Sequence, residues 1–81
     1  MKKYPCPCCG HRTYPVPPGR DCGYICPVCF WENDPFASSE GEPSDSNGGM
    51  TLREARKNYL ELGACEGKML PYVRPPREDE E

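Results

Sequence analysis

The sequence has little material for a hydrophobic core or a conventional active site. It contains one histidine, one tryptophan and two phenylalanines among 81 residues, and its apolar fraction is 36%. The mean hydropathy is -0.84, and no apolar run approaches the ~18 residues that a membrane-spanning helix needs. A hydrophobic core in a chain this small yields only a few kcal/mol of net stability. Another element must therefore hold the fold together.

Cysteine and proline are abundant instead, with seven cysteines and eleven prolines. Residues 1–6 lack the apolar stretch of a secretory signal peptide, so we expect a cytoplasmic protein. In a reducing compartment, closely spaced cysteine pairs are metal ligands more often than disulfides. An odd number of cysteines fits four metal ligands and three free thiols.

The metal ligands are predicted from two copies of a Cys-Pro-x-Cys motif, at residues 6–9 and 26–29. In each copy, called a knuckle below, two thiolates are spaced so that both can bind one ion. The four sulfur ligands of a tetrahedral site favour Zn²⁺ or iron over harder ions. We expect one zinc per chain, with iron as the alternative, because rubredoxin-type sites use the same ligands. The predicted ligands are Cys6, Cys9, Cys26 and Cys29.

The remaining thiols and the single histidine are interpreted as packing or surface residues. Cys8 lies inside the first knuckle, where its side chain should point away from the metal. Cys22 and Cys65 are read as small buried residues. His11 could complete a three-cysteine, one-histidine site, but we interpret it as a solvated side chain or a donor to a ligand sulfur.

The order of the segments predicts a small metal-stabilised α+β domain. A zinc-ribbon-like hairpin would run out along residues 11–16 and return along 22–25, with one knuckle at each end. A helix is predicted from a capping box at Thr51, and Gly63 is placed to end it. We divide the single domain into a zinc ribbon (1–33), a polar loop (34–50), the helix (51–63), a packing segment (64–73) and a flexible acidic tail (74–81).

Catalysis is not expected, because the sequence offers no nucleophile–base pair and no phosphate loop, and sulfur would fill every metal position. Residues 1–31 carry four basic side chains against one acidic, and residues 32–81 carry six against twelve. The basic excess at the start makes nucleic-acid binding an alternative, but four thiolates around Zn²⁺ contribute about -2 and reduce it. We therefore expect a protein partner, and we keep an iron or thiol redox protein as a further alternative.

Four stretches of the chain carry a further pattern. They are YPCPCCG (4–10), YICPVCFWEND (24–34), LREAR (52–56) and GACE (63–66). Together they resemble the bacterial CPCC family of small cysteine-rich proteins. The resemblance covers most of the chain and implies a compact metal-binding domain. It also implies that Cys8 and Cys65 belong to the pattern of the family, and it implies no particular activity.

Overall fold

The computed structural model describes residues 3–20, 23–37 and 39–81. Its regular elements are a two-stranded antiparallel sheet, formed by β1 (Tyr4–Pro5) and β2 (Arg12–Tyr14), and one α-helix, α1 (Leu52–Leu62). Short 3₁₀ turns make up the remaining regular structure. The first knuckle lies between the strands, so the sheet places two of the cysteines in its own turn.

The strand pairing differs from the predicted ribbon. β2 pairs with β1, with Tyr4 opposite Tyr14, whereas the sequence predicts a partner strand at residues 22–25. The first knuckle reverses the chain within a few residues, so the local pairing costs less loop-closure entropy than the longer hairpin. Cys22 and the start of the predicted return strand lie outside the described residues.

The second knuckle has the same setting, because Ile25 and Glu32 form an antiparallel bridge on either side of it. The fold therefore contains two short hairpins in series, each with a Cys-Pro-x-Cys motif in its turn. The predicted single hairpin, with a knuckle at either end, is replaced by two hairpins that meet through their turns.

Helix α1 has the predicted ends. The Thr51 hydroxyl accepts a hydrogen bond from the Glu54 N–H, and the Glu54 carboxylate accepts one from the Thr51 N–H, so the capping box is formed. Gly63 ends the helix in the left-handed region with φ 88°. The apolar residues of the helix are not all buried: Ala55 is fully buried, but Leu62 is 49% exposed. The helix therefore packs against the core through only part of its apolar face.

The predicted solvated loop, residues 34–50, contacts the second hairpin through its polar side chains. Ser44 is fully buried, and its hydroxyl donates to the Asp34 carboxylate at 2.7 Å. The Asn47 side-chain amide accepts from the Glu32 N–H at 2.9 Å and donates to the Glu32 carbonyl at 2.8 Å. The Asn47 amide thus takes both backbone hydrogen bonds of Glu32 that a neighbouring strand would otherwise make. Hydrophobic periodicity does not indicate such a contact.

The segment after the helix closes over the second knuckle. Ala64 and Cys65 are buried, and the Cys65 N–H donates to the Cys29 carbonyl at 2.8 Å. The predicted packing segment, residues 64–73, contains a 3₁₀ turn over Gly67–Tyr72.

The acidic end of the chain, predicted to be a flexible tail, is placed against the first hairpin. It forms a 3₁₀ turn at Glu78–Glu80, and Glu80 is only 2% exposed. Both Glu80 oxygens accept from the Arg74 guanidinium, at 2.8 and 2.9 Å. The Lys3 ammonium lies 3.9 Å from the same carboxylate. The run of acidic residues predicts a solvated end, but it does not indicate the ion pair between Arg74 and Glu80.

Across the part of the chain that the structure covers, no helix has the length and apolar content to cross a membrane.

Candidate metal centre

Four cysteine thiols from the two knuckles converge on one point. The Cys6 and Cys29 sulfurs are 3.6 Å apart, and those of Cys9 and Cys26 are 3.7 Å apart. All four sulfurs lie within 4.8 Å of one another. Each of the two short distances joins a cysteine of one knuckle to a cysteine of the other, so neither knuckle makes the cluster alone. The structure thus brings together the four cysteines singled out in the sequence.

The size of the sulfur cluster fits a tetrahedral metal ion. Zinc–thiolate bonds of about 2.3 Å place neighbouring sulfurs about 3.8 Å apart. The two short distances in the cluster, 3.6 and 3.7 Å, are close to that value. They are far from a disulfide bond of about 2.0 Å, and the six cysteines described by the structure are all free thiols. Soft sulfur donors in this arrangement suit zinc or iron.

The two knuckles hold their cysteines with the same backbone hydrogen bonds. In the first, the Cys6 N–H donates to the His11 carbonyl and the Gly10 N–H donates to the Cys6 carbonyl, both at 2.9 Å. In the second, the Cys26 N–H donates to the Trp31 carbonyl at 3.0 Å, and the Phe30 N–H donates to the Cys26 carbonyl at 2.8 Å. The turn is therefore a property of the motif, repeated once.

Charge is distributed unevenly among the four thiols. Hydrogen bonds from Cys29, Cys6 and Cys9 hold the pKa of the Cys26 thiol below its ordinary value. Hydrogen bonding to Cys26 and then to Cys6 raises the pKa of Cys29. One sulfur can thus be ionised at the expense of its neighbours, but four adjacent thiolates repel one another. A divalent cation at the centre would remove this conflict and allow all four to ionise.

Most of the cluster is shielded from water. Cys6, Cys26 and Cys29 are at most 2% exposed, whereas Cys9 is half-buried. Trp31 is 3% exposed and belongs to the same buried cluster, where it follows the second knuckle. Among the described residues, Cys9 of the first knuckle is the predicted ligand that solvent partly reaches.

The other sulfur and imidazole candidates lie around the cluster and outside the group of four. Cys8 and Cys65 are buried in the same core. Burial, followed by the charge of Cys8, raises the pKa of the Cys65 thiol to about 12. His11 is half-buried, with its ring edge toward Tyr59 at 6.0 Å between centroids. Cys22 lies outside the described residues.

Two hydroxyl groups beside the sulfurs were missed in the sequence. The Thr13 hydroxyl lies 3.2 Å from the Cys26 sulfur, and both residues are buried. Tyr14 is fully buried in the same core. The signal that could have found them is their position, since a strand that leaves a knuckle must pass its own metal site. The sequence instead predicts both residues in the outgoing strand of the hairpin, residues 11–16.

A groove of about 750 Å³ separates the second hairpin from helix α1. Its apolar lining includes Ile25, which is 41% exposed, and the half-buried Phe30. Acidic side chains outnumber basic ones along it. The charged lining residues are Glu32, Glu54, Lys57, Glu61, Glu66 and Lys68.

Comparison with known proteins gives one match. The family model described as Cysteine-rich CPCC matches residues 4–80, which includes both knuckles, the helix and the acidic end. No curated protein and no solved structure matches the chain.

Proposed function

This chain belongs to the cysteine-rich CPCC family, and from that premise we propose that it is a small structural zinc protein that acts by binding another protein. The observation that carries the proposal is the cluster of four thiols, all within 4.8 Å, at the junction of the two hairpins. Cys6, Cys9, Cys26 and Cys29 would hold the ion. The metal would join two turns that share little other regular structure.

The metal would supply stability, because the rest of the core is small. Structural zinc contributes an apparent ~10–16 kcal/mol in zinc-finger peptides, whereas a core of this size gives only a few kcal/mol net. The apolar side chains buried around the sulfurs are few; the largest are Tyr14, Val28 and Trp31. Folding and metal binding should therefore be one event.

Zinc is proposed because four thiolates, with no fifth donor among the described neighbours, form the closed tetrahedral site of structural zinc proteins. Iron, which the same four ligands can hold, is the alternative that metal analysis distinguishes. The same closure supports a binding role over a catalytic one, since sulfur would occupy every tetrahedral position. Removal of the metal with a chelator should abolish the near-ultraviolet circular dichroism of Trp31, and added Zn²⁺ should restore it. A chelator-treated protein that stays folded would contradict the structural role.

The groove between the second hairpin and α1 is the proposed binding surface. It combines apolar side chains with four glutamates and two lysines. This composition favours a protein segment that carries both an apolar side chain and positive charge. The alternative of nucleic-acid binding is disfavoured because Lys3 pairs with Asp79, and Arg12 donates to the Glu81 main-chain oxygen.

A matched pair of variants tests the surface. Ile25→Glu places a charge in the groove, whereas Leu60→Glu places one on the helix at a position that is 85% exposed and outside the groove lining. Metal-loaded wild-type protein and Leu60→Glu should both capture the same basic partner from an extract, and Ile25→Glu should lose it. Equal capture by all three would contradict the proposed surface.

A further inference from the structure

We propose that two consecutive hydroxyls of β2, on Thr13 and Tyr14, donate hydrogen bonds to the metal-binding thiolates and so set how tightly the centre holds its ion. This inference rests on the metal-binding function proposed above. It assigns a positioning role to side chains that are not themselves ligands. It also gives a physical reason for the burial of these two residues in the strand that follows the first knuckle.

The first contact joins Thr13 to the second knuckle. The Thr13 hydroxyl lies 3.2 Å from the Cys26 sulfur, and both residues are at most 5% exposed. A free thiol and a hydroxyl can each be the donor in such a pair. A metal-bound sulfur has lost its proton, so Thr13 must then be the donor. Metal binding would fix the direction of this hydrogen bond.

The second hydrogen bond, from the Tyr14 hydroxyl, would form when a metal ionises the thiols. Tyr14 is fully buried, and its hydroxyl is a buried polar atom without a hydrogen-bond partner among the described residues. A phenol O–H is a hydrogen-bond donor, and an unpaired buried donor is unfavourable. Cys6 belongs to the same buried cluster as Tyr14. A metal-bound Cys6 thiolate would be a far better acceptor than the thiol and would satisfy the phenol.

Thr13 contacts Cys26, the first cysteine of the second knuckle. Tyr14 shares the buried cluster of Cys6, the first cysteine of the first knuckle. Successive residues of a strand normally point to opposite faces, yet Thr13 and Tyr14 are both buried beside sulfur. Tyr24 supports this arrangement, because its hydroxyl donates to the Thr13 carbonyl at 3.0 Å and its ring meets that of Tyr14 edge-on, 4.9 Å between centroids. One strand thus connects both halves of the centre.

The expected consequence is tighter metal binding. Donors to a thiolate spread its negative charge, which matters where four thiolates share one divalent ion. Outer partners of metal ligands typically change metal affinity by 10- to 100-fold when they are removed. The effect should appear in affinity and in the electronic spectrum of the metal, with little change in fold.

The test uses Tyr14→Phe and Thr13→Val in the full chain, with Co²⁺ as a spectroscopic probe and Zn²⁺ in competition. Each variant keeps most of the side-chain volume. We expect each to weaken Co²⁺ and Zn²⁺ binding about 10- to 100-fold. The sulfur-to-cobalt charge-transfer band should move to longer wavelength, because the thiolates become more electron-rich. Thr13→Ser, which keeps the hydroxyl, should restore both properties.

Tyr72→Phe is the matched control, because it removes a hydroxyl from a tyrosine that is 65% exposed. Its affinity and spectrum should equal those of the wild type. If Tyr14→Phe does not fold, Thr13→Val compared with Thr13→Ser still decides the question. Wild-type affinity and an unshifted band in both Thr13→Val and Tyr14→Phe would overturn this inference alone. A wild-type protein that binds neither ion would overturn the proposed function as well.

Discussion

The two knuckles share one backbone turn and differ in what surrounds it. The position after the second cysteine has positive φ in both, 79° at Gly10 and 69° at Phe30. Glycine adopts this conformation freely, whereas a bulky aromatic residue does so only when its surroundings hold it there. The Phe30 ring packs against that of Tyr72, with centroids 5.5 Å apart. Packing supports in the second knuckle what glycine provides in the first.

Burial follows the same division. The residue immediately before the second ligand cysteine is Cys8 in the first knuckle and Val28 in the second, and both are buried. The equivalence interprets Cys8 as a small apolar packing residue. The next position is half-buried Cys9 in one and fully buried Cys29 in the other. The second knuckle is therefore part of the core, and the first closes the centre from the surface.

One motif therefore serves the same predicted metal site in two structural contexts, a surface turn and a buried one. The metal would be common to both halves, so loss of any ligand should affect both. Loss of a neighbouring side chain should affect mainly the half that depends on packing.

The largest effect is expected from removal of a ligand. Cys9→Ser should leave the protein unfolded at neutral pH, because three thiolates cannot close a tetrahedral site and the remaining core is small. Cys8→Val copies the residue of the second knuckle and should leave the protein folded and metal-bound. Circular dichroism with metal analysis checks both. Equal loss in the two variants would refute the ligand assignment.

A smaller effect should separate the residues that follow the two knuckles. Trp31 is 3% exposed and packs in the core, so Trp31→Ala should cost about 3–5 kcal/mol in the free energy of unfolding. His11 occupies the equivalent position but is only half-buried, and His11→Ala should cost far less. Urea unfolding of the zinc-loaded proteins measures both. Equal costs would mean that the two knuckles depend on packing alike.

The acidic end gives the first hairpin a pH-dependent support. The Arg74 guanidinium lowers the pKa of Glu80 to about 2, below the value of about 4.3 for an unperturbed glutamate. Its contribution is therefore complete above about pH 4.3 and is lost as the pH falls through about 2. Glu80→Gln should cost about 1–3 kcal/mol at pH 7, as expected for a hydrogen bond to a charged group.

Carboxyl-carbon NMR follows this titration directly. The Glu80 signal should titrate near pH 2. A Glu80 signal that titrates at about 4.3, the value of an unperturbed glutamate, would show that the end of the chain is not held by Arg74.

The smallest effect concerns the turn itself. Gly10→Ala should cost about 1 kcal/mol, because an alanine at positive φ is strained even where space is free. Gly19→Ala is the control, since Gly19 has no positive φ and its added Cβ would also meet nothing within 4 Å. Unfolding midpoints in urea distinguish the two. Equal midpoints would indicate that the first knuckle tolerates strain as the second does.

The sequence predicted the features that local chemistry determines. The spacing of the cysteines indicated which four thiols would meet, and the Thr51 capping box indicated the start of the helix. It did not predict the pairing of β2, because two alternative partner segments lay nearby and periodicity could not choose between them. The contacts of Asn47 with Glu32 and of Lys3 with Glu80, and the burial of Tyr14, were also missed. The two contacts join residues distant in sequence through polar groups, and hydrophobic periodicity does not indicate such contacts.

We propose that one metal ion, held by the two knuckles, stabilises the whole fold. Native mass spectrometry of protein purified without added metal, before and after acid denaturation, measures the metal and the folded state together. We expect one zinc per folded chain, released when the chain unfolds. A folded chain without metal, or one that stays folded after it has lost its ion, would refute this role of the metal.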